Sequence, residues 1–173
     1  MDLLLQQAHV RKPQWNLEKN YRWLDTRLDE QERELSIKAT PITLLLPDFN
    51  EKHHVINLID TPGHPNFLGE TVAAMRLADS VLLVIDATEG VMLMTEKIIR
   101  HCIREKMKVV IAINKIDRLI IESRIPPEDA YLKLKHTLEE VNALFRKYCA
   151  QFGLDEKTYQ FSPNLNNVIF TSA

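Results

Sequence analysis

The two longest apolar runs are 81–85 (VLLVI) and 109–113 (VVIAI), and each ends on a polar residue, Asp86 and Asn114. Unbroken runs of that length, rich in β-branched residues, predict strands buried on both faces, as in a parallel sheet. Between them Met94, Ile98, Cys102 and Ile103 form a helical stripe that ends near Lys106. Pro127 suits a helix start, and Tyr131, Leu134, Leu138, Val141 and Phe145 follow at helical spacing. A last short strand is predicted over 167–171 (NVIFT). Upstream, the runs 40–46 (TPITLLL) and 55–60 (VINLID) flank a polar link at 48–52, which suits an antiparallel hairpin. A helix is predicted over 67–77, and a short one over 2–9 before a polar stretch broken by Pro13. Residues 22–38 are dense in charge of both signs, a pattern that predicts a solvated helix or loop. Together these elements predict an α/β fold with a mostly parallel sheet and helices on both faces. In such sheets the ligand lies beyond the carboxyl ends of the strands.

Composition narrows the function classes. A chain of 173 residues with 45% hydrophobic and 27% charged residues predicts one folded domain and not a disordered chain. The 22 basic and 24 acidic residues nearly cancel, which argues against nucleic-acid binding through bulk charge. No apolar run is long enough to cross a membrane, and MDLLLQQAHV does not read as a secretory signal. Two cysteines, Cys102 and Cys149, cannot make a disulfide framework, and a reducing compartment is expected. Cys102 reads as a helix core residue. Trp15 and Trp23 read as packing residues, and His53-His54 lacks a third metal ligand at useful spacing.

The chemistry gathers at three strand ends: Asp60-Thr-Pro-Gly-His64, Asn114-Lys-Ile-Asp117 and Thr171-Ser-Ala173. Asp60 could hold Mg²⁺ through a water. Gly63 could let its backbone N–H approach a terminal phosphate, and His64 could orient an attacking water. A plain turn after a strand would use the same residue types. Guanine presents N1–H and N2–H₂ side by side, and the carboxylate of Asp117 could accept both. Adenine offers no such pair. The Lys115 stem can lie over the base, and Asn114 can bond the base edge and brace the loop. Ser172 and Ala173 are small enough to let backbone N–H groups reach the guanine O6.

These residues, in this order, resemble a translation-type GTPase of the elongation factor two branch. Asp25-Thr-Arg27, Asp29-Glu-Gln-Glu-Arg33 and Ser36-Ile-Lys38 are similar to its first switch. Asp60-Thr-Pro-Gly-His64 with Asn66-Phe67 and Glu70 is similar to its second. Ala87-Thr-Glu-Gly-Val-Met92, Thr95-Glu96 and 119–142, with Pro126-Pro127 ahead of Asp129-Ala-Tyr-Leu132, most resemble the spliceosomal elongation-factor-like GTPases. The resemblance implies a P-loop NTPase-type G domain that binds GTP or GDP with Mg²⁺ and hydrolyses GTP. It implies metal binding by Ser36 and by Asp60 through water, γ-phosphate contact by Gly63 and water positioning by His64. Asn114, Lys115, Asp117, Ser172 and Ala173 would hold guanine. A ribonucleoprotein assembly of spliceosomal proteins and small nuclear RNA, in the nucleus, is the implied setting. The alternatives are the ribosome, with a cytoplasmic translocation factor, and a GTP-bound scaffold that does not hydrolyse.

The chain also departs from that pattern. No glycine precedes Gly63 and no Gly-Lys pair occurs, so the phosphate-binding loop Gly-x-x-x-x-Gly-Lys-[Ser/Thr] is not in these residues. The expectation is a G-domain piece, 1–173, truncated at both ends and lacking its first strand. Glu34 stands where the family usually has Gly, Ser36 where it has Thr, and Pro65 confines His64 to extended backbone. All three point away from fast hydrolysis.

Overall fold

The computed structural model describes Leu5, Ala8 and residues 22–172, which form two compact units, 1–78 and 79–173. Leu5 and Ala8 are helical. The rest of the helix expected over 2–9, together with Pro13 and Trp15, lies outside the described residues.

In the first unit, α1 (Leu28–Arg33) leads into a hairpin of β1 (Thr40–Pro47) and β2 (His53–Asp60). The strands are antiparallel, with Thr40 opposite Asp60 and Pro47 opposite His53. Asp48 builds the turn: its Oδ1 accepts from the amides of Asn50 at 2.7 Å and Lys52 at 3.0 Å. His54 Nε2 lies 3.2 Å from Asp48 Oδ2, so the His-His pair belongs to the hairpin. A 3₁₀ turn, Pro65–Phe67, then opens α2 (Leu68–Met75). The buried Thr71 hydroxyl donates to the Pro62 carbonyl at 3.0 Å, tying α2 back to the turn after β2.

The second unit is a parallel sheet in the order β3 (Ser80–Asp86), β4 (Lys108–Asn114), β5 (Val168–Phe170). Its strands lie where the apolar runs predict them, and in register Asp86 sits beside Asn114 and Ile113 beside Phe170. The crossovers are α3 (Leu93–Arg104), then the short α4 (Ile116–Ile121) and the long α5 (Pro127–Phe152). Leu83, Ile85, Ile111, Ile113 and Val168 pack on Ile99 and Ile103 of α3 and Val141 and Phe145 of α5 in one buried core. Each such side chain, fully buried, stabilises by roughly 1.5–3 kcal/mol. Leu82, Val84, Val110 and Ile169 line the opposite face of this sheet and stay 37–56% exposed. α5 ends at Gly153, whose φ of 68° is the left-handed cap that glycine adopts without strain. The amide of Asn142 grips the Phe161 backbone at both ends, at 2.9 Å each, and folds the adjoining loop over α5. Cys102 is fully buried, and burial pushes its thiol up to about 12, as suits a core residue. Trp23, by contrast, keeps 47% of its surface exposed. No helix among the described residues is long and apolar enough to cross a membrane.

Candidate nucleotide-binding and switch residues

Asn114 closes β4, and its side chain braces the turn into α4. Its Oδ1 accepts from the Lys115 amide at 2.8 Å and from the Thr171 hydroxyl at 3.0 Å. The Ile116 amide donates to the Thr171 carbonyl at 3.3 Å, and the Thr171 amide to the Ile113 carbonyl at 2.9 Å. The Asn114 and Thr171 strand ends are thus stitched together, with the exposed Ser172 next in the chain. Lys115 takes a left-handed backbone, φ 61°, at the start of α4. That turn, unusual for a residue with a Cβ, sets Asp117 on the first turn of the helix. Asp117 Oδ1 is buried and has no hydrogen-bond partner among the described residues. A buried carboxylate oxygen without a donor is costly unless a ligand supplies one, so this residue fits the paired N–H donors of guanine.

The Lys115 ammonium lies 2.8 Å from Asp86 Oδ2. The other Asp86 oxygen accepts from the Thr88 amide at 2.8 Å and hydroxyl at 2.6 Å. Burial alone would raise the Asp86 carboxyl, but the bonds from Lys115 and Thr88 hold it well below the carboxylate range. Ala173 lies outside the described residues.

Ser36, Asp60, Gly63 and His64 belong to the first unit. The Ser36 hydroxyl donates to Asp25 Oδ1 at 2.9 Å. A carboxylate only accepts, so the Ser36 proton points at Asp25 and its lone pairs stay available to a cation. Asp25 is buried and also meets Arg22 Nε at 2.6 Å. Glu30, only 2% exposed, takes the next two residues: its Oε1 accepts from the amides of Ile37 at 2.8 Å and Lys38 at 2.9 Å. Its Oε2 accepts from the Arg27 amide at 3.2 Å. Burial opposes the Glu30 charge, yet the bonds from Lys38, Ile37 and Arg27 bring the carboxyl below its ordinary value. Glu70 of α2 then pairs with Lys38 Nζ at 2.6 Å and the Ala39 amide at 3.5 Å. Three carboxylates therefore grip four consecutive residues, 36–39.

Asp60 is the half-buried last residue of β2. A Cβ added to Gly63 would meet no atom of the described residues within 4 Å. His64 is exposed and extended, at φ −75° and ψ 137°, as Pro65 dictates. Its Nδ1 accepts from the Asn66 amide at 3.2 Å, which leaves the ring proton on Nε2. Among the described residues no three His, Cys, Asp or Glu side chains converge as a metal cage. One or two protein oxygens completed by phosphates is the arrangement Mg²⁺ favours, and the Ser36 hydroxyl and Asp60 carboxylate are oxygen donors of the type it takes. A groove of about 530 Å³ lined by Val91, Met92, Leu93, Glu96, Leu144 and Lys147, among others, contains none of these residues.

Four residues acquire roles that the motifs did not assign: Asp25, Glu30, Asp86 and Thr171. Asp25 and Glu30 sit in a charged stretch that periodicity reads as solvated. In the sequence Asp86 is visible only as the end of a strand, and its pairing with Lys115 depends on strand register.

A parallel sheet whose strand ends carry an Asn-Lys-x-Asp loop, together with a separate Asp-x-x-Gly turn, defines a guanine-nucleotide-binding domain. Residues 1–173 match the elongation factor Tu GTP binding domain, and the chain belongs to that family. It is 50% identical over 144 residues to the 110 kDa U5 small nuclear ribonucleoprotein component CLO of Arabidopsis thaliana, covering 82% of this chain and 14% of that protein. To the pre-mRNA-splicing factor cwf10 of Schizosaccharomyces pombe it is 44% identical over 174 residues, 99% of this chain and 17% of the relative. To the pre-mRNA-splicing factor SNU114 of Saccharomyces cerevisiae it is 41% identical over 177 residues, 99% and 16% respectively. The chain thus spans about one-sixth of the length of these relatives.

Proposed function

We propose that these residues belong to the G domain of a longer GTPase that works as a switch in pre-mRNA splicing, within a nuclear ribonucleoprotein. The identity of 41–50% to proteins named as U5 components and splicing factors supports the setting. The buried Asp117 oxygen, without a partner among the described residues and beside the braced Asn114–Lys115 turn, carries the nucleotide assignment. Asp117 reads guanine, Asn114 and the 171–173 segment brace and complete the base site, and Lys115 covers the base plane. Mg²⁺, where bound, neutralises phosphate charge, and Ser36 and Asp60 are the residues that would hold it. Gly63 admits the γ-phosphate closely. His64 orients the attacking water through Nε2–H, its Nδ1 being committed to the Asn66 amide.

With Nδ1 so committed the neutral ring can donate to the water but not take its proton, which favours a second reading, a domain that binds GTP and hydrolyses it too slowly to matter. Single-turnover hydrolysis by the complete protein, with and without His64→Ala, decides between them. The switch reading expects GTP affinity within threefold of wild type and a rate at least tenfold lower in the variant. A wild type that does not turn over supports the scaffold. Lost affinity with an unchanged rate makes His64 structural.

A further inference from the structure

Lysine reaches its partner through four rotatable carbons, so the Asn-Lys-x-Asp spacing alone does not say where the ammonium goes. Here both ends of Lys115 are held. Its amide donates to Asn114 Oδ1 at 2.8 Å, and its Nζ meets Asp86 Oδ2 at 2.8 Å. The Asp86 carboxylate cannot turn away, because its other oxygen takes the Thr88 amide and hydroxyl. The Thr88 carbonyl in turn accepts from Lys133 Nζ on α5 at 2.8 Å. The Gly90 amide closes the same turn onto the Asp86 carbonyl at 2.9 Å. Strand register puts Asp86 beside Asn114, and the Ala87 amide donates to the Asn114 carbonyl at 2.9 Å. The end of β3 is therefore a rigid bracket for the first residue after β4.

We propose that Asp86 is a positioning residue for guanine-nucleotide binding: it pins the Lys115 ammonium so that the lysine stem stands as a fixed wall for the base. This rests on the reading of Asn114–Asp117 as the guanine loop. The pair does two things. It orders a flexible side chain before the nucleotide arrives, so that this ordering does not weaken binding. It also neutralises the ammonium, leaving the stem to act through packing. Packing over a base plane carries no edge information, so Asp86 governs affinity and not the choice between guanine and xanthine.

A double-mutant cycle in the complete protein tests this, with affinities for GDP and XDP read by calorimetry. Asp86→Asn keeps a hydrogen-bond acceptor for Thr88 and should weaken GDP about tenfold, with the GDP/XDP ratio unchanged. In a Lys115→Ala background the same change should alter affinity less than twofold. If Asp86→Asn does not fold, Lys115→Met, which removes only the ammonium, carries the same tenfold expectation. Equal effects of Asp86→Asn in both backgrounds, or unchanged GDP affinity, would overturn the inference. Asp117→Asn run alongside separates the two levels. A shift toward XDP with an additive cycle refutes the role of Asp86 alone, and no shift refutes the guanine loop and this role with it.

Discussion

Residues 79–173 and residues 22–78 are held together by different forces. In the former, a single cluster of aliphatic and aromatic side chains joins three strands to α3 and α5. In the latter, the buried set is small, Leu44, Pro62, Ala74 and Met75 among the apolar residues, and it includes Asp25, Glu30 and Thr71. Hydrophobic packing is non-directional, is lost only as a whole and makes a rigid platform. A segment fixed by carboxylates on backbone amides can be released by rearranging a few hydrogen bonds, each worth only about 0.5–3 kcal/mol net. The division suits the proposed roles. In the proposed function the base would be read on the packed unit, and the residues that would respond to a γ-phosphate lie on the hydrogen-bonded one.

The largest effect should come from opening the packed unit. Phe145 is fully buried, with its ring centroid 5.5 Å from that of Tyr159 and 4.6 Å from that of Phe161. Phe145→Ala should cost about 3–5 kcal/mol in chemical denaturation. A loss below ~1 kcal/mol would remove the contrast between the units.

A smaller and more local loss is expected in the other unit. Glu30→Ala strips three amides of their acceptor and should cost about 2–3 kcal/mol, with faster proteolysis at 34–39 and little change elsewhere. The lowered Glu30 pKa sets the sign of the pH effect. Its contribution is present above the unfolded-state value near 4.5 and fades as pH falls through the folded value. Glu30→Gln should flatten that acid limb of a stability titration, and an unchanged limb would place the charge elsewhere.

How much of this is legible in the amino-acid sequence varies with the force involved. The strands 80–86 and 108–114 are legible because apolar runs bounded by polar ends have few other uses. The motif residues are legible by type and spacing. The carboxylate grip is not, because a charge run reads as solvated unless the amides it will meet are known. α4 is hidden too: Ile116–Ile121 is only six residues long and comes directly after a motif that reads as a loop. The exposure of Leu82 and Val84 cannot be read either, since a pattern says that a face is apolar and not what lies on it.

The smallest effect concerns Glu34, which caps α1 in the left-handed region at φ 52°. That explains in physical terms why glycine suits this position. Glu34→Gly should stabilise by roughly 0.5–1 kcal/mol, measured as a raised denaturation midpoint. A destabilised variant would mean that the Glu34 side chain contributes more than its backbone strain costs.

The central claim is that Asp117 reads guanine on the packed unit, and competition binding of GTP and XTP to the complete protein tests it most directly. Asp117→Asn breaks a charge-assisted bidentate pair, worth roughly 1.5–3 kcal/mol per hydrogen bond, and gives xanthine a donor in its place. The predicted result is a loss of GTP affinity of at least tenfold with XTP becoming the preferred nucleotide. An Asp117→Asn protein that still prefers GTP would contradict the account.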